Sequence, residues 1–168
     1  RAGVRGTSRA FDEAPHILGG DAAGDIIELG SEVSRRNVGD RVVVNPRITC
    51  GQCHPCLAGQ EEFCSSPNML GSSSNGSYAE FVSVAAASTV VLPDDLSYEQ
   101  AASLPTVFLP SWNILVRRAG LKPWETALIL SASSGVGTAA IQVAKNVIGA
   151  KVISTTSTAE KVKKALNL

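Results

Sequence analysis

Apolar and polar positions follow two different patterns along this chain, and the change falls just after Ser97. Before it, short apolar runs alternate with turn-forming residues. "DIIELG", "DRVVVNP" and "STVVLPDDL" read as short strands bounded by Gly, Asp or Pro. "YAEFVSV" alternates as a half-buried strand does. The segment 1–16 is polar and reads as a loop, and "GSSSNGS" reads as a turn. The first regime therefore predicts a region of small β-strands.

After Ser97 the spacing becomes helical. "SYEQ" opens with a capping box, in which Ser97 caps and Gln100 reaches back. "VFLPSWNILVRRAG" predicts a helix ending at Gly120, with Pro110 in its first turn or kinking it. "TALILSA" is a continuous apolar run of the kind buried in a parallel sheet. "SSGVG" follows, and "TAAIQVAKNVIG" has helical spacing at Ala140, Val143, Ala144 and Val147. "AKVISTTS" is a second β run and "TAEKVKKALNL" a second helix. Strand, glycine-containing turn, helix and strand make a βαβ unit. A domain boundary is expected between residues 95 and 115, dividing the chain into 1–105 and 106–168.

Composition narrows the function. The 168 residues hold 15 basic and 15 acidic side chains, so no charge excess points to nucleic acid or an anionic membrane. No apolar run approaches the roughly 18 residues of a membrane helix. The N-terminal sequence has no signal-peptide pattern and no initiating Met, and the expectation is a cytoplasmic protein whose true start lies upstream.

All four cysteines lie in "CGQCHPCLAGQEEFC", at Cys50, Cys53, Cys56 and Cys64. Four thiolates at this spacing can close a tetrahedral zinc site with no position left for water or substrate, so the ion would be structural. The neighbours are polar, which argues against buried core cysteines, and nothing else indicates the oxidising compartment that disulfides need. His54 is expected to be a solvated loop residue.

The turn "SASSGVG" lies between strand and helix, where backbone N–H groups attract an anion and small residues let a pyrophosphate approach. Its three fingerprint positions hold Ala132, Ser134 and Gly137. Ser133, Ser134, Gly135, Val136 and Gly137 are the candidate phosphate-binding residues. At the end of the next strand Thr156 stands where an acidic residue would take the ribose hydroxyls of NAD. The uncharged Thr156 does not repel a 2′-phosphate, and Ser157, Thr158 and Lys161 can bind one, so NADPH is expected over NADH.

In order, "PHILGGDAAG", "VGDRVVVNP", the cysteine lobe, "GSYAEFV", "LPDDLSYEQAASLP" and "SSGVGTAAIQVAK" resemble the medium-chain dehydrogenase/reductase superfamily. The likeness runs from about Pro15 to Lys161. It implies an α/β protein, a partial GroES-like β-barrel domain followed by a partial Rossmann domain. It implies hydride transfer between NAD(P)H and a carbonyl, quinone or enone. It also implies a homodimer or homotetramer at full length, with a fragment that does not turn over by itself. The family's structural zinc ligands fall on Cys50, Cys53, Cys56 and Cys64. Its catalytic zinc ligands do not carry over: Gly20 replaces a histidine, with Asp21 next to it, and Thr106 aligns with the usual cysteine. The resemblance is therefore to the branch lacking catalytic zinc, with Thr106 and Asp21 as candidate catalytic residues and Trp112 as a pocket or core aromatic. The alternatives are a zinc-dependent alcohol dehydrogenase with unusual ligands, a non-catalytic zinc-ribbon module, and an NADPH sensor.

Overall fold

The computed structural model describes residues 16–168. The loop expected over 1–16 lies outside these, apart from its last residue. Contacts divide the chain into two compact units, Arg1–Pro105 and Thr106–Leu168.

The first unit is built on a three-stranded antiparallel sheet, β1 (Ala23–Asp25), β2 (Arg41–Val44) and, after the short strands below, β5 (Thr89–Val91). β2 is central, so its valines are covered on both sides, and Val42, Val43 and Val44 are all buried. Val43, Leu92 and Ala101 form the core, with Ala23, Leu96 and Tyr98 against them. A second small sheet pairs β3 (Arg47–Ile48) with β4 (Asn68–Met69) and brackets the cysteine lobe, which holds α1 (His54–Leu57).

Two expected strands differ. "DIIELG" is displaced: the ladder begins at Ala23 and ends at Asp25, and beyond it the Ile26 N–H reaches the Asp40 carbonyl at 3.0 Å. Its apolar residues are adjacent and do not alternate, and Ile27 is exposed. "YAEFVSV" forms no strand. Its start is tied to 17–19, with Tyr78 N–H donating to the Leu18 carbonyl at 2.9 Å. Beyond it no strand pairs with it among the described residues, and Tyr78 and Phe81 are exposed. Alternation marks two faces, but a strand also needs a neighbour.

The carboxyl end of this unit is α2 (Tyr98–Ala102), closed by the expected capping box: Gln100 N–H donates to Ser97 Oγ, and Ser97 N–H to Gln100 Oε1. Arg41 fastens it to the sheet. Its guanidinium donates to the carbonyls of Pro93, Asp94 and Leu96, reaches Tyr98 Oη at 3.2 Å, and lies 4.7 Å from the Tyr98 ring centre. Tyr98 Oη in turn donates to Asp25. Arg41→Met keeps the aliphatic stem but takes the guanidinium donor from three carbonyls, of which that of Pro93 keeps the Leu96 N–H. It is expected to cost about 1–3 kcal/mol, read as a lower urea midpoint at unchanged slope.

α3 (Pro105–Trp112) opens on the last residue of the first unit and otherwise belongs to the second, and it is continued by a π-helical stretch over Asn113–Arg118. Pro110 lies inside α3, later than the first turn, and the helix runs through it. β6 (Thr126–Ile129), α4 (Gly135–Gln142) and β7 (Lys151–Ser154) form the expected βαβ unit, with parallel register from Thr126 opposite Lys151 to Ile129 opposite Ser154. α4 also widens into a π stretch, Val143–Ile148, and ends on Gly149 in the left-handed conformation at φ 81°. α5 (Ala159–Leu166) closes the unit.

Ile129, Ala140, Ile141, Val143 and Ala144 are buried together with Leu115. Ser111, fully buried, donates to the Val107 carbonyl at 2.7 Å and lies 3.2 Å from that of Val136, joining α3 to α4. One face of β6 is covered. On the other, Leu128 is 64% and Leu130 68% exposed, so the run "TALILSA" is buried on a single side. Among the described residues no helix is long and apolar enough to cross a membrane.

Candidate metal centre and nucleotide turn

The cysteine lobe is a loop folded on its own sulfurs. Cys53 caps α1, Cys56 lies within it, and Cys64 follows a short 3-10 turn at Glu61–Phe63. The turn at Gly51 requires φ 71°, which glycine adopts without strain. Arg47 holds the far side, donating from Nη2 to the Glu62 carbonyl at 2.9 Å.

The Sγ atoms of Cys53 and Cys56 are 3.4 Å apart, those of Cys50 and Cys64 3.6 Å, and those of Cys50 and Cys56 4.0 Å. All four lie within 4.8 Å of one another. A tetrahedron with zinc–sulfur bonds of about 2.3 Å has edges of about 3.8 Å, so the cage has the size zinc demands. A disulfide needs about 2.05 Å, and the four cysteines are free.

Backbone donors tune the sulfurs. The Ser65 N–H, and after it that of Cys56, holds the Cys53 thiol down at about 6. The Cys50 N–H, 3.4 Å from Cys64 Sγ, lowers Cys64 as well. Removal from water, aided by the Cys53 sulfur, pushes Cys56 up to about 12. Four sulfurs this close cannot all lose their protons unless a cation neutralises them, and zinc binding requires that loss. The donor set therefore fits a dication held by Cys50, Cys53, Cys56 and Cys64. His54 is exposed and forms no part of the group.

The other candidate residues of this unit sit elsewhere. Gly20 is enclosed: a Cβ there would stand 3.3 Å from the Leu70 carbonyl oxygen and 3.6 Å from Pro46. The backbones of 18–20, 71 and 76 are stacked, and a Cβ on Gly71 or Gly76 would lie 2.2 Å from the Gly19 oxygen. Asp21 is exposed and lines a groove of about 1180 Å³ beside β1 and residues 79–84. Among the described residues, the four cysteines are the one group of three or more His, Cys, Asp or Glu positioned to hold a metal.

In the second unit the turn after β6 is built from small residues. Ser134 caps α4, accepting from Gly137 N–H at 2.9 Å and donating to the Ser131 carbonyl at 3.0 Å. A Cβ on Gly137 would sit 2.2 Å from that carbonyl oxygen. The N–H groups of Gly135 and Val136, at the first turn of α4, have no acceptor inside the helix. Ser133, Ser134, Gly135 and Val136 are exposed around them. Sequence reasoning missed the residues that hold the turn's shape. Ser131 takes φ 61°, its N–H bonded to Thr155 Oγ1 at 3.2 Å, and Ala132 N–H donates to the Thr155 carbonyl at 2.8 Å. Thr138 Oγ1 donates to the Ala132 carbonyl. A threonine directly after a β run was the available signal.

At the carboxyl end of β7, Thr156 Oγ1 is shielded from solvent and has no hydrogen-bond partner. Ligands of parallel sheets bind at this end of the strands, so an orphaned hydroxyl here fits a nucleotide ribose. Ser157 and Lys161 stand nearby on the surface, Lys161 Nζ 3.3 Å from Ser157 Oγ. Thr106 and Trp112, at opposite ends of α3, are both exposed.

Residues 3–94 match the alcohol dehydrogenase GroES-like domain. An NAD-dependent alcohol dehydrogenase of Sulfolobus acidocaldarius is 33% identical over 154 residues, covering 92% of this chain and 44% of that protein. An acryloyl-coenzyme A reductase of Metallosphaera sedula is 37% identical over 147 residues, 88% of this chain and 44% of that protein. Among solved structures, a cobalt- and zinc-bound thermostable alcohol dehydrogenase from Pyrobaculum aerophilum superposes with a TM-score of 0.83 at 32% identity, covering 92% of this chain and 46% of that one.

The fold is thus that of a GroES-like domain followed by the start of a Rossmann domain, and the chain belongs to the medium-chain dehydrogenase/reductase superfamily. It spans less than half the length of these curated relatives.

Proposed function

We propose that this chain contributes the structural zinc lobe and the opening part of the nucleotide site to an NAD(P)H-dependent oxidoreductase. The enzyme would move hydride to or from a carbonyl, quinone or enone without a catalytic zinc. One observation carries the reading: the four sulfurs close on one another, while Gly20, where zinc-using members keep a histidine, offers no ligand and is walled by the Leu70 carbonyl.

The nicotinamide would supply the hydride chemistry, and residues of this chain would hold the pyrophosphate and the ribose at the other end of the dinucleotide. The first turn of α4 would receive the pyrophosphate on the Gly135 and Val136 N–H groups, and Gly137 keeps Ser131 close. Thr156 meets the ribose, with Ser157 and Lys161 toward a 2′-phosphate. Thr106 is the candidate donor to the substrate oxygen, a role that hydrogen bonding must fill where no Lewis acid does. Asp21, at the groove beside β1, is the second candidate.

The relatives include enzymes named NAD-dependent, so cofactor choice is the sharpest test. The full-length protein should bind NADPH about tenfold or more tighter than NADH, and Lys161→Ala should remove most of that preference while leaving NADH affinity unchanged. NADPH oxidation assayed with an enone, a quinone and an aldehyde tests the activity. Binding of neither nicotinamide would return the chain to the zinc-module reading.

A further inference from the structure

We propose that the cysteine lobe is also a peroxide-responsive modification site, in which Cys53 and Cys56 form a disulfide and the bound zinc leaves. This rests on the zinc assignment above and adds a reversible oxidative modification to the same site.

Three observations support it. The Cys53–Cys56 separation, 3.4 Å, is the shortest between the sulfurs whose distances are given above, and closing it to a disulfide needs a movement of only about 1.4 Å. Both residues are partly exposed, whereas Cys64 is 7% exposed, so a small oxidant reaches the first pair more readily than the last sulfur. The lobe also has almost no apolar core of its own. Neither α1 nor the Glu61–Phe63 turn buries a residue, and Leu57 is 76% exposed. Its order depends on the ion, so losing the ion changes the lobe's shape and leaves the sheet of Val42–Val44 intact.

The chemistry balances with hydrogen peroxide as oxidant. A thiolate of the pair attacks one peroxide oxygen, the O–O bond breaks, and the departing hydroxide takes a proton to become water. The second thiolate attacks the resulting sulfenic sulfur, the S–S bond forms, the S–O bond breaks, and a second proton makes a second water. Two sulfurs are oxidised by one electron each and the peroxide is reduced by two. Zinc, left with two thiolates, dissociates. Cys50 and Cys64, 3.6 Å apart, follow with a second equivalent, more slowly because Cys64 is buried.

The test uses the full-length, zinc-loaded protein, titrated with hydrogen peroxide in the presence of a colorimetric zinc chelator, with unreduced peptides mapped by mass spectrometry. About one zinc per chain should be released as the Cys53–Cys56 disulfide appears, before any Cys50–Cys64 disulfide, and dithiothreitol with added zinc should reverse both changes. Zinc retained until the cysteines reach sulfinic or sulfonic acid, or a Cys50–Cys64 disulfide formed first, would overturn the proposal. Protein purified from zinc-replete cells with no zinc at all would instead overturn the metal assignment on which it stands.

Discussion

Serine in place of Cys56 should empty the sulfur cage and melt the lobe while the chemical step survives. Cys56 lies inside α1 and faces both Cys53 and Cys50 across the cage. Serine keeps the size but offers a hydroxyl that stays protonated, so one of four anionic ligands is lost. Structural zinc in small domains contributes on the order of 10 kcal/mol or more to folding, and losing a ligand should cost at least about 3 kcal/mol of it. Calorimetry on the full-length variant should show a transition roughly 6–12 °C lower and a sharply reduced zinc content. Turnover measured well below that transition should stay within about threefold of the parent, because the cage leaves no ligand position for a substrate oxygen.

The second large effect is expected at the other end of the chain. Gly137→Val places a Cβ 2.2 Å from the Ser131 carbonyl oxygen, a backbone atom that cannot swing aside. The turn must open, which breaks the Ser134 cap and moves the N–H groups of Gly135 and Val136 away from the pyrophosphate position. Dinucleotide affinity of the full-length protein should fall by about a hundredfold or more, and stability by about 3–5 kcal/mol. Gly149→Ala is the control. It also loads a left-handed residue, at φ 81°, but its nearest neighbour is Pro123 at 3.9 Å. It should cost about 1 kcal/mol and leave nucleotide binding unchanged.

Much of this was legible in the residues. The cysteine cluster could be read because its four members are local: both tight turns and the return lie between Cys50 and Cys64, so spacing alone brings the sulfurs together. The βαβ unit could be read for the same reason, since Thr126–Ser154 is a contiguous strand, turn, helix and strand. The capping box at Ser97 is a four-residue signal and appears as written.

What failed depends on distant partners. "YAEFVSV" has the alternation of a strand, but pairing is decided elsewhere in the chain, and only its first residues meet 17–19. The close stacking of Gly19, Gly71 and Gly76 joins positions more than fifty residues apart and leaves no local trace. The widened turns after Trp112 and Gln142 are also invisible to a 3.6-residue period: Val147, spaced with Ala140, Val143 and Ala144, is 63% exposed, and Ile148 packs on the core in its place. Thr155 was passed over because it works through its backbone as much as its hydroxyl.

In the proposed function a sulfur-bound ion holds shape and a nucleotide carries reducing equivalents. Metal analysis of the active full-length protein, purified without added chelator, tests that division most directly. One zinc per chain, lost on substitution of Cys56, is the predicted result. Two zinc ions per chain, the second surviving the Cys56 substitution and disappearing together with activity on chelation, would contradict it.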